Sequence, residues 1–219
     1  WITTILPYLG EEALYNAYKP DARFDSADNV MAVSTRLPVL ECPDVQGADR
    51  MIEVGEGEKK SKAAPTDYIG FGVTVAVRQL FPPNFDLSGA LLTINSRTVA
   101  RIDNIPDGLA YTGFVFESAD KNNVWQAGKL VKERRGQAGA WAGGAFNAFR
   151  GFSFDGIQVP GPCAVNCNNQ LAVYGFHPKG ANIVMGDGAV RFFQQQMDVM
   201  VMYALISRNG GEILSESDF

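Results

Sequence analysis

The stretch FHPKGANIVMGDGAVRFF, residues 176–193, holds the chain's only histidine, His177, and an Asp-Gly pair ten residues later. Asp-Gly between two apolar runs is typical of a β-hairpin with a two-residue type I′ turn. Because side chains that pair across two strands share a face, a turn at Asp187 and Gly188 gathers four apolar residues on one face: Ile183, Met185, Val190 and Phe192. The pattern therefore predicts that Asp187 shapes the turn and is not a chemical partner of His177.

The segments on either side of this hairpin extend the prediction to the whole chain. After it, apolar residues at helical spacing predict an amphipathic helix that ends at Gly210 or Gly211: Met197, Met200, Val201, Ala204 and Leu205. Before it, short runs rich in β-branched and aromatic residues predict strands: 68–77, 89–96, 98–102, 111–118 and 123–131. Pro106, Asp107 and Gly108 predict a turn between two of them.

The amino-terminal part predicts short helices. Residues 4–18 carry apolar side chains on one helical face, with a break near Gly10, and residues 25–36 form a second short helix capped by Asp25 or Ser26. Segments 46–67 and 136–170 are predicted to be long surface loops. Along the chain, short helices come first, many short strands follow, and one helix closes the sequence. This order indicates an α+β fold with a mainly antiparallel sheet. We expect a single domain over residues 1–219.

Charge and composition exclude several classes of protein. The chain has 219 residues and a net charge of −5, which argues against a nucleic-acid binder, since neutralising phosphates needs a basic face. The basic runs at 58–62 and 129–135 are interleaved with Glu, so we interpret them as solvated. No stretch approaches the roughly 20 apolar residues that span a bilayer. The chain begins on Trp1 without an initiator Met, so targeting information is expected upstream of it.

The three cysteines leave several interpretations open. Cys163 and Cys167 lie in a Pro/Gly/Asn-rich loop, where they could form a short-range disulfide, remain free thiols, or bind zinc together with His177. A zinc site lacks a defined fourth ligand, so no metal and no cofactor are predicted. Cys42, the third thiol, suggests a disulfide partner outside this sequence.

Neither the lone histidine nor the aromatic loop establishes an activity. No serine lies in a G-x-S-x-G motif, and His177 is expected to be a hydrogen-bonded structural residue. A hydrolase would have to combine it with Asp107, Glu117 or Asp187. In the loop, Trp141, Phe146 and Phe149 either pack on the core or are candidate ligand-facing aromatics.

Four segments in order give the chain a resemblance to a known family. HPKGANIVMGDGAVRFF resembles the His-x9-Asp-Gly signature of a large group of bacterial pilin-like proteins of unknown function, also labelled as extracellular solute-binding. ILPYLGEEALYN, LPVLECPD and ALISRNGGEIL are similar to further segments of that family. RIDNIPDGLAYTGFVFES resembles another, which assigns Asp107, Gly108 and Glu117, like His177, Asp187 and Gly188, to structural positions of the family motifs. At the position of that segment's polar Asn-Thr pair, this chain has Tyr111-Thr112, preceded by Leu109-Ala110.

The resemblance implies a fold and a location. Members usually begin with an apolar prepilin-type helix, which is absent here, so these residues would be a pilin- or pseudopilin-like head. It implies that a cysteine upstream pairs with Cys42, leaving Cys163 and Cys167 for each other. It also implies an extracytoplasmic protein whose full-length form is membrane-anchored by that helix.

We therefore expect a non-enzymatic, exported, type II secretion pseudopilin-like head for assembly or surface display. Its expected partners are other pilin-like subunits or the secretion machinery, with no nucleic acid. The alternative is an extracellular module that binds a glycan or small solute. Scattered acidic residues such as Asp44 and Asp103 lack EF-hand spacing, and calcium is not predicted.

Overall fold

The structure is a computed structural model. It describes residues 1–47, 50–55, 57, 60–92, 101–133, 139–143 and 145–215. The predicted strands at 89–96 and 98–102 lie largely outside these residues. Among the described residues, no helix combines the length and apolar character needed to cross a bilayer.

The amino-terminal helices are short, as predicted. Helices α1 (Ile2–Ile5), α2 (Glu12–Ala17) and α3 (Val30–Val33) are supplemented by 3-10 turns at Leu6–Leu9 and Pro38–Leu40. The predicted break is confirmed, because Gly10 ends the first 3-10 turn at φ +81°. The predicted cap at Asp25 or Ser26 is wrong: α3 starts after Asn29, whose buried side chain instead holds the preceding turn through the carbonyls of Lys19 and Arg23.

A five-stranded sheet forms the centre of the fold, in the order β7-β3-β4-β8-β9. All its neighbouring pairs are antiparallel except β3 with β7. The strands of this sheet are β3 (Tyr68–Val73), β4 (Gly113–Glu117), β7 (Phe146–Phe149), β8 (Gly180–Met185) and β9 (Val190–Gln194). The remaining four strands make two separate hairpins: β1 (Ile52–Val54) with β2 (Ser61–Ala63), and β5 (Asn123–Gln126) with β6 (Lys129–Glu133).

Both predicted surface loops contain part of the structured domain. Segment 46–67 contains the β1–β2 hairpin, with Ile52 and Val54 buried. Segment 136–170 contributes β7 to the central sheet, where Val73 pairs with Phe149. Their polar and Gly-rich composition hid these strands because each has only three or four residues, too few for a clear alternation.

The hairpin of β8 and β9 forms, but one residue out of the predicted register. Val184 pairs with Val190, and the loop is Gly186-Asp187-Gly188, a three-residue connection. Asp187 does not adopt the positive φ that a type I′ turn requires, and only Gly188 does, at +88°. Its carboxylate accepts the Ala189 N–H at 2.9 Å, so Asp187 is a turn residue in a different turn. Val190 and Phe192 consequently lie exposed on the face opposite Phe193.

A two-residue turn with positive φ at both positions does exist, at Ala127 and Gly128 between β5 and β6. Their φ values are 45° and 80°. Alanine is uncommon in this conformation, and for that reason the sequence pattern did not indicate the turn. The Ala127 N–H is anchored by the Cys167 carbonyl at 2.9 Å.

Helix α4 (Val199–Ile206) packs on the inner face of the sheet and closes the main core. Asp198 caps it by accepting the Met200 N–H. The predicted apolar stripe is wrong in detail. The helix buries every residue from Met202 to Ile206, whereas Met200 is exposed, and it ends at Ile206 before the two glycines.

Candidate functional site

Four side chains from separate parts of the chain meet at one end of the outer sheet face. Glu117 is the last residue of β4, and His177 lies in the segment that leads into β8. Cys42 and Asp44 follow the 3-10 turn Pro38–Leu40. The group combines a thiol, an imidazole and two carboxylates, all side chains able to exchange protons or bind metals.

His177 lies between two carboxylates. Its Nε2 is 2.9 Å from Glu117 Oε1, and its Nδ1 is 2.6 Å from Asp44 Oδ2. A ring that donates from both nitrogens is an imidazolium. Burial lowers the pKa of His177, but the charges and hydrogen bonds of Glu117 and Asp44 outweigh it, and the net effect is a raised pKa. His177 is therefore hydrogen-bonded, as predicted, and of its two carboxylate partners the sequence analysis considered Glu117 but not Asp44.

Glu117 is fully buried and is held from its other oxygen. Its Oε2 accepts the backbone N–H of Asn182 at 2.5 Å and the side-chain amide of Asn182 at 3.3 Å. These bonds tie the end of β4 to β8 and leave Oε1 directed toward His177. A buried carboxylate needs such compensation, since desolvating an unpaired charge costs several kcal/mol.

Cys42 is 2% exposed and is a free thiol. Its Sγ is 3.6 Å from His177 Nε2. Burial is the largest cause of the raised pKa of this thiol. The backbone of Cys42 is fixed by Asp67, whose Oδ2 accepts its N–H at 2.7 Å.

A pocket of about 520 Å³ opens beside His177. Its lining combines polar groups with two aromatic rings: Asp44, Gln46, Asn166, Gln195, Trp125 and Phe176. The two rings are perpendicular, with centroids 4.9 Å apart. Trp125 is oriented by a hydrogen bond from its indole N–H to Asp120, at 2.7 Å. The pocket therefore places aromatic rings next to hydrogen-bonding amides and to the charged Asp44 and His177 side chains, a combination that suits a small polar ligand.

The other family-motif residues lie away from this cluster. Asp107 accepts the N–H groups of Gly210 and Gly211 at 2.7 and 3.0 Å, which holds the carboxyl-terminal segment to the predicted turn. Gly108 has φ +89° in that turn. Of the three acids considered for a hydrolase, Glu117 alone is within hydrogen-bonding distance of His177.

The aromatic residues proposed as ligand-facing do not form a platform. Trp141 and Phe149 are buried in two different core clusters, so this interpretation is wrong for both. Phe146 is partly exposed. The aromatic residues that do line the pocket are Trp125, from the predicted strand 123–131, and Phe176, at the start of the segment that leads into the hairpin.

Cys163 and Cys167 form a disulfide, with Cα atoms 6.3 Å apart. This removes the zinc site that combined these two thiols with His177. The sequence alone could not have identified Cys42 and Asp44 as neighbours of His177, because more than 130 residues separate them and no local motif joins them.

The same outer sheet face also carries a largely apolar groove of about 470 Å³. It is lined by valines of three adjacent strands, Val115, Val184 and Val190, and by Trp1, Ile5 and Leu9 of the amino-terminal segment. Asn182, which bonds to Glu117, also belongs to its lining. Val190 is 65% exposed. A sheet face that is exposed to solvent usually carries polar residues, whereas this one carries apolar residues.

Comparison with known proteins gives one family. The model of a family described as "Protein of unknown function (DUF1559)", with the solute-binding label SBP_bac_10, matches residues 1–200. No curated protein and no solved structure gives a significant match.

Proposed function

The chain belongs to this family of proteins of unknown function, and on that premise we propose that it is the non-enzymatic head of an exported pilin-like protein, similar to a type II secretion pseudopilin. Its partners are other pilin-like subunits or the secretion machinery. It acts outside the cytoplasm, where a disulfide such as Cys163–Cys167 persists. The full-length protein is held in the membrane by an apolar amino-terminal helix.

The observation that carries this proposal is the apolar groove on the outer sheet face. Both faces of the central sheet carry apolar residues at β8 and β9, but α4 packs on the inner face. Trp1 is itself part of the groove lining. A helix that leads into Trp1 therefore reaches the groove directly, and covering Val184 and Val190 removes apolar surface from water at about 25 cal/mol per Å². We assign the groove to that helix.

Replacing Val190 by glutamate tests this assignment. In protein produced with its apolar amino-terminal helix, V190E is expected to reduce the assembled or surface-displayed fraction severalfold, because a charge then faces the helix. Residues 1–219 alone should unfold within about 0.5 kcal/mol of the wild-type free energy, since Val190 is mostly exposed. The assembled fraction is measured by surface proteolysis and by shearing.

Met31→Glu is the matched control, because Met31 is also a strongly exposed apolar residue and is not part of the groove lining. It should leave assembly unchanged. The groove's role would be contradicted if V190E assembled as well as the wild type, or if both variants lost the same fraction of assembled protein.

A second candidate function is the binding of a glycan or small solute, and the pocket beside His177 favours it. Its volume lies in the range of small-molecule sites, and a sugar face can stack on Trp125 while hydroxyls bond to Asn166 and Gln195. The family's solute-binding label agrees with this interpretation.

Calorimetric titration with a panel of oligosaccharides tests the pocket. If it binds sugars, at least one should give heat at millimolar concentration, and Trp125→Ala should weaken that binding at least tenfold. Phe154→Ala, at an exposed aromatic outside the pocket, is the control and should not weaken it. The absence of heat for every sugar would reject glycan binding and leave assembly as the function.

A further inference from the structure

The arrangement of Cys42, Glu117 and His177 goes beyond an assembly head. Their ligand atoms all lie within 4.8 Å of one another. Sulfur, imidazole nitrogen and carboxylate oxygen are the three protein ligands of zinc. We propose that these three residues bind a divalent cation of the zinc class, with water from the adjoining pocket as the fourth ligand.

Both distances from His177 Nε2 to the other two ligand atoms are close to those of a tetrahedral site, and the Cys42 sulfur and the Glu117 carboxylate lie within 4.8 Å of each other. At usual zinc bond lengths, ligand atoms around a tetrahedral ion are about 3.3–3.6 Å apart. Cys42 Sγ and His177 Nε2 are already 3.6 Å apart. His177 Nε2 and Glu117 Oε1, at 2.9 Å, need to separate by only about 0.4 Å to admit the ion. A rotation of the partly exposed His177 ring supplies a movement of this size.

The remaining polar atoms of the ligands are already occupied in the way that metal sites require. The second ring nitrogen of His177 bonds to Asp44 at 2.6 Å, which makes the carboxylate–histidine arrangement found behind metal-bound imidazoles. Glu117 Oε2 is held by Asn182, so Oε1 is the oxygen left for the ion. These contacts orient each ligand before the ion arrives.

The exchange of protons for the ion also conserves charge. Without metal, two carboxylates and the imidazolium give the cluster a charge of −1. A divalent ion displaces one proton from His177 Nε2 and one from the Cys42 thiol, and both protons pass to solvent. Two carboxylates, one thiolate and the ion again sum to −1. The buried site therefore gains a cation with no unbalanced charge, which avoids the usual cost of burying one.

The thiol decides which cation is expected. Calcium and magnesium prefer oxygen ligands, whereas a Cys/His/Glu set suits zinc and cobalt(II). A disulfide between Cys42 and an upstream cysteine, which the resemblance implies, would remove the sulfur ligand. The two states of Cys42 are therefore mutually exclusive.

Metal titration of chelator-treated full chain tests the proposal. Zn²⁺ should bind with a stoichiometry of one by calorimetry, and Co²⁺ should produce tetrahedral d–d bands together with a thiolate-to-cobalt charge-transfer band. Cys42→Ser should abolish the charge-transfer band. Asp44→Asn, at a half-exposed position that does not threaten folding, should weaken Zn²⁺ binding about 10–100-fold.

Asp187→Asn is the control, since this exposed carboxylate lies in the hairpin turn, and it should bind as the wild type does. Three results would overturn the proposal: no binding to protein with a titratable Cys42 thiol, a charge-transfer band that persists in C42S, or a Cys42 that is oxidised in the full-length protein as it is isolated. None of these outcomes bears on assembly, so this test and that of V190E are independent.

Discussion

Asp67→Ala is expected to lower the free energy of unfolding by about 3–5 kcal/mol, because it leaves a buried guanidinium without its main partner. Asp67 is fully buried, and Arg50 is 7% exposed. The two form a bidentate pair through both carboxylate oxygens. Breaking such a pair from one side costs far more than the pair contributes, since the remaining charge stays desolvated.

The same carboxylate also accepts two backbone N–H groups. Cys42 N–H bonds to Oδ2 at 2.7 Å and Asp120 N–H to Oδ1 at 2.8 Å. Alanine would leave both donors unsatisfied, which adds to the loss. Because Cys42 belongs to the candidate metal site, the variant should also disorder that site.

Chemical denaturation measures this loss. Asp103→Ala is the matched control: it removes the exposed partner of Arg101, a pair whose side chains are 72% and 70% accessible, and should change stability by less than about 1 kcal/mol. Equal denaturant midpoints for the two variants would show that Asp67 does not hold the structure together as argued.

The sequence predicted local elements well where one pattern favoured one structure. The closing helix, the turn at Asp107–Gly108 and the break at Gly10 depend on neighbouring residues, and such signals can be recognised in a single segment. The cap at Asp198 is a finding of the structure and is not among the predictions. The disulfide between Cys163 and Cys167 is also local, since only three residues lie between them.

The register of β8 and β9 could not be predicted from alternation, because β9 carries large apolar residues on both faces. Phe193 packs in the core while Phe192 and Val190 face outward. Either register therefore produces an apolar face, and the predicted one combined residues of the inner and outer faces. The ambiguity has the same origin as the groove: an outer face that is itself apolar.

The candidate site was hidden for a different reason. His177 and Glu117 are 60 residues apart, and Cys42 is 135 residues from His177. Sheet topology brings them together, and no local spacing encodes it. The family resemblance did assign Glu117 and His177 to motif positions, but it did not indicate that they bond to each other.

Replacing Glu117 gives the second large effect, and pH identifies its cause. Glu117→Ala is expected to lower the free energy of unfolding by about 2–4 kcal/mol, because Asn182 loses a buried acceptor and a cavity remains. The measurement is made with chelator present, so that no ion replaces the proton on His177. Urea denaturation at several pH values separates this packing loss from the loss of the ion pair.

The sign of the pH dependence follows from the raised pKa of His177. Between the unfolded value of 6.5 and the higher folded pKa, the folded protein holds a proton that the unfolded chain releases. The ion pairs therefore contribute fully below pH 6.5, and stability falls as pH rises through the folded pKa. Glu117→Gln keeps the side-chain volume but removes the buried charge, so this slope should shrink, with Asp44 left as the only carboxylate partner. His177→Ala should remove this contribution to the slope altogether. A slope above pH 6.5 that is the same in wild type, E117Q and H177A would mean that the imidazole is not charged between its two carboxylates.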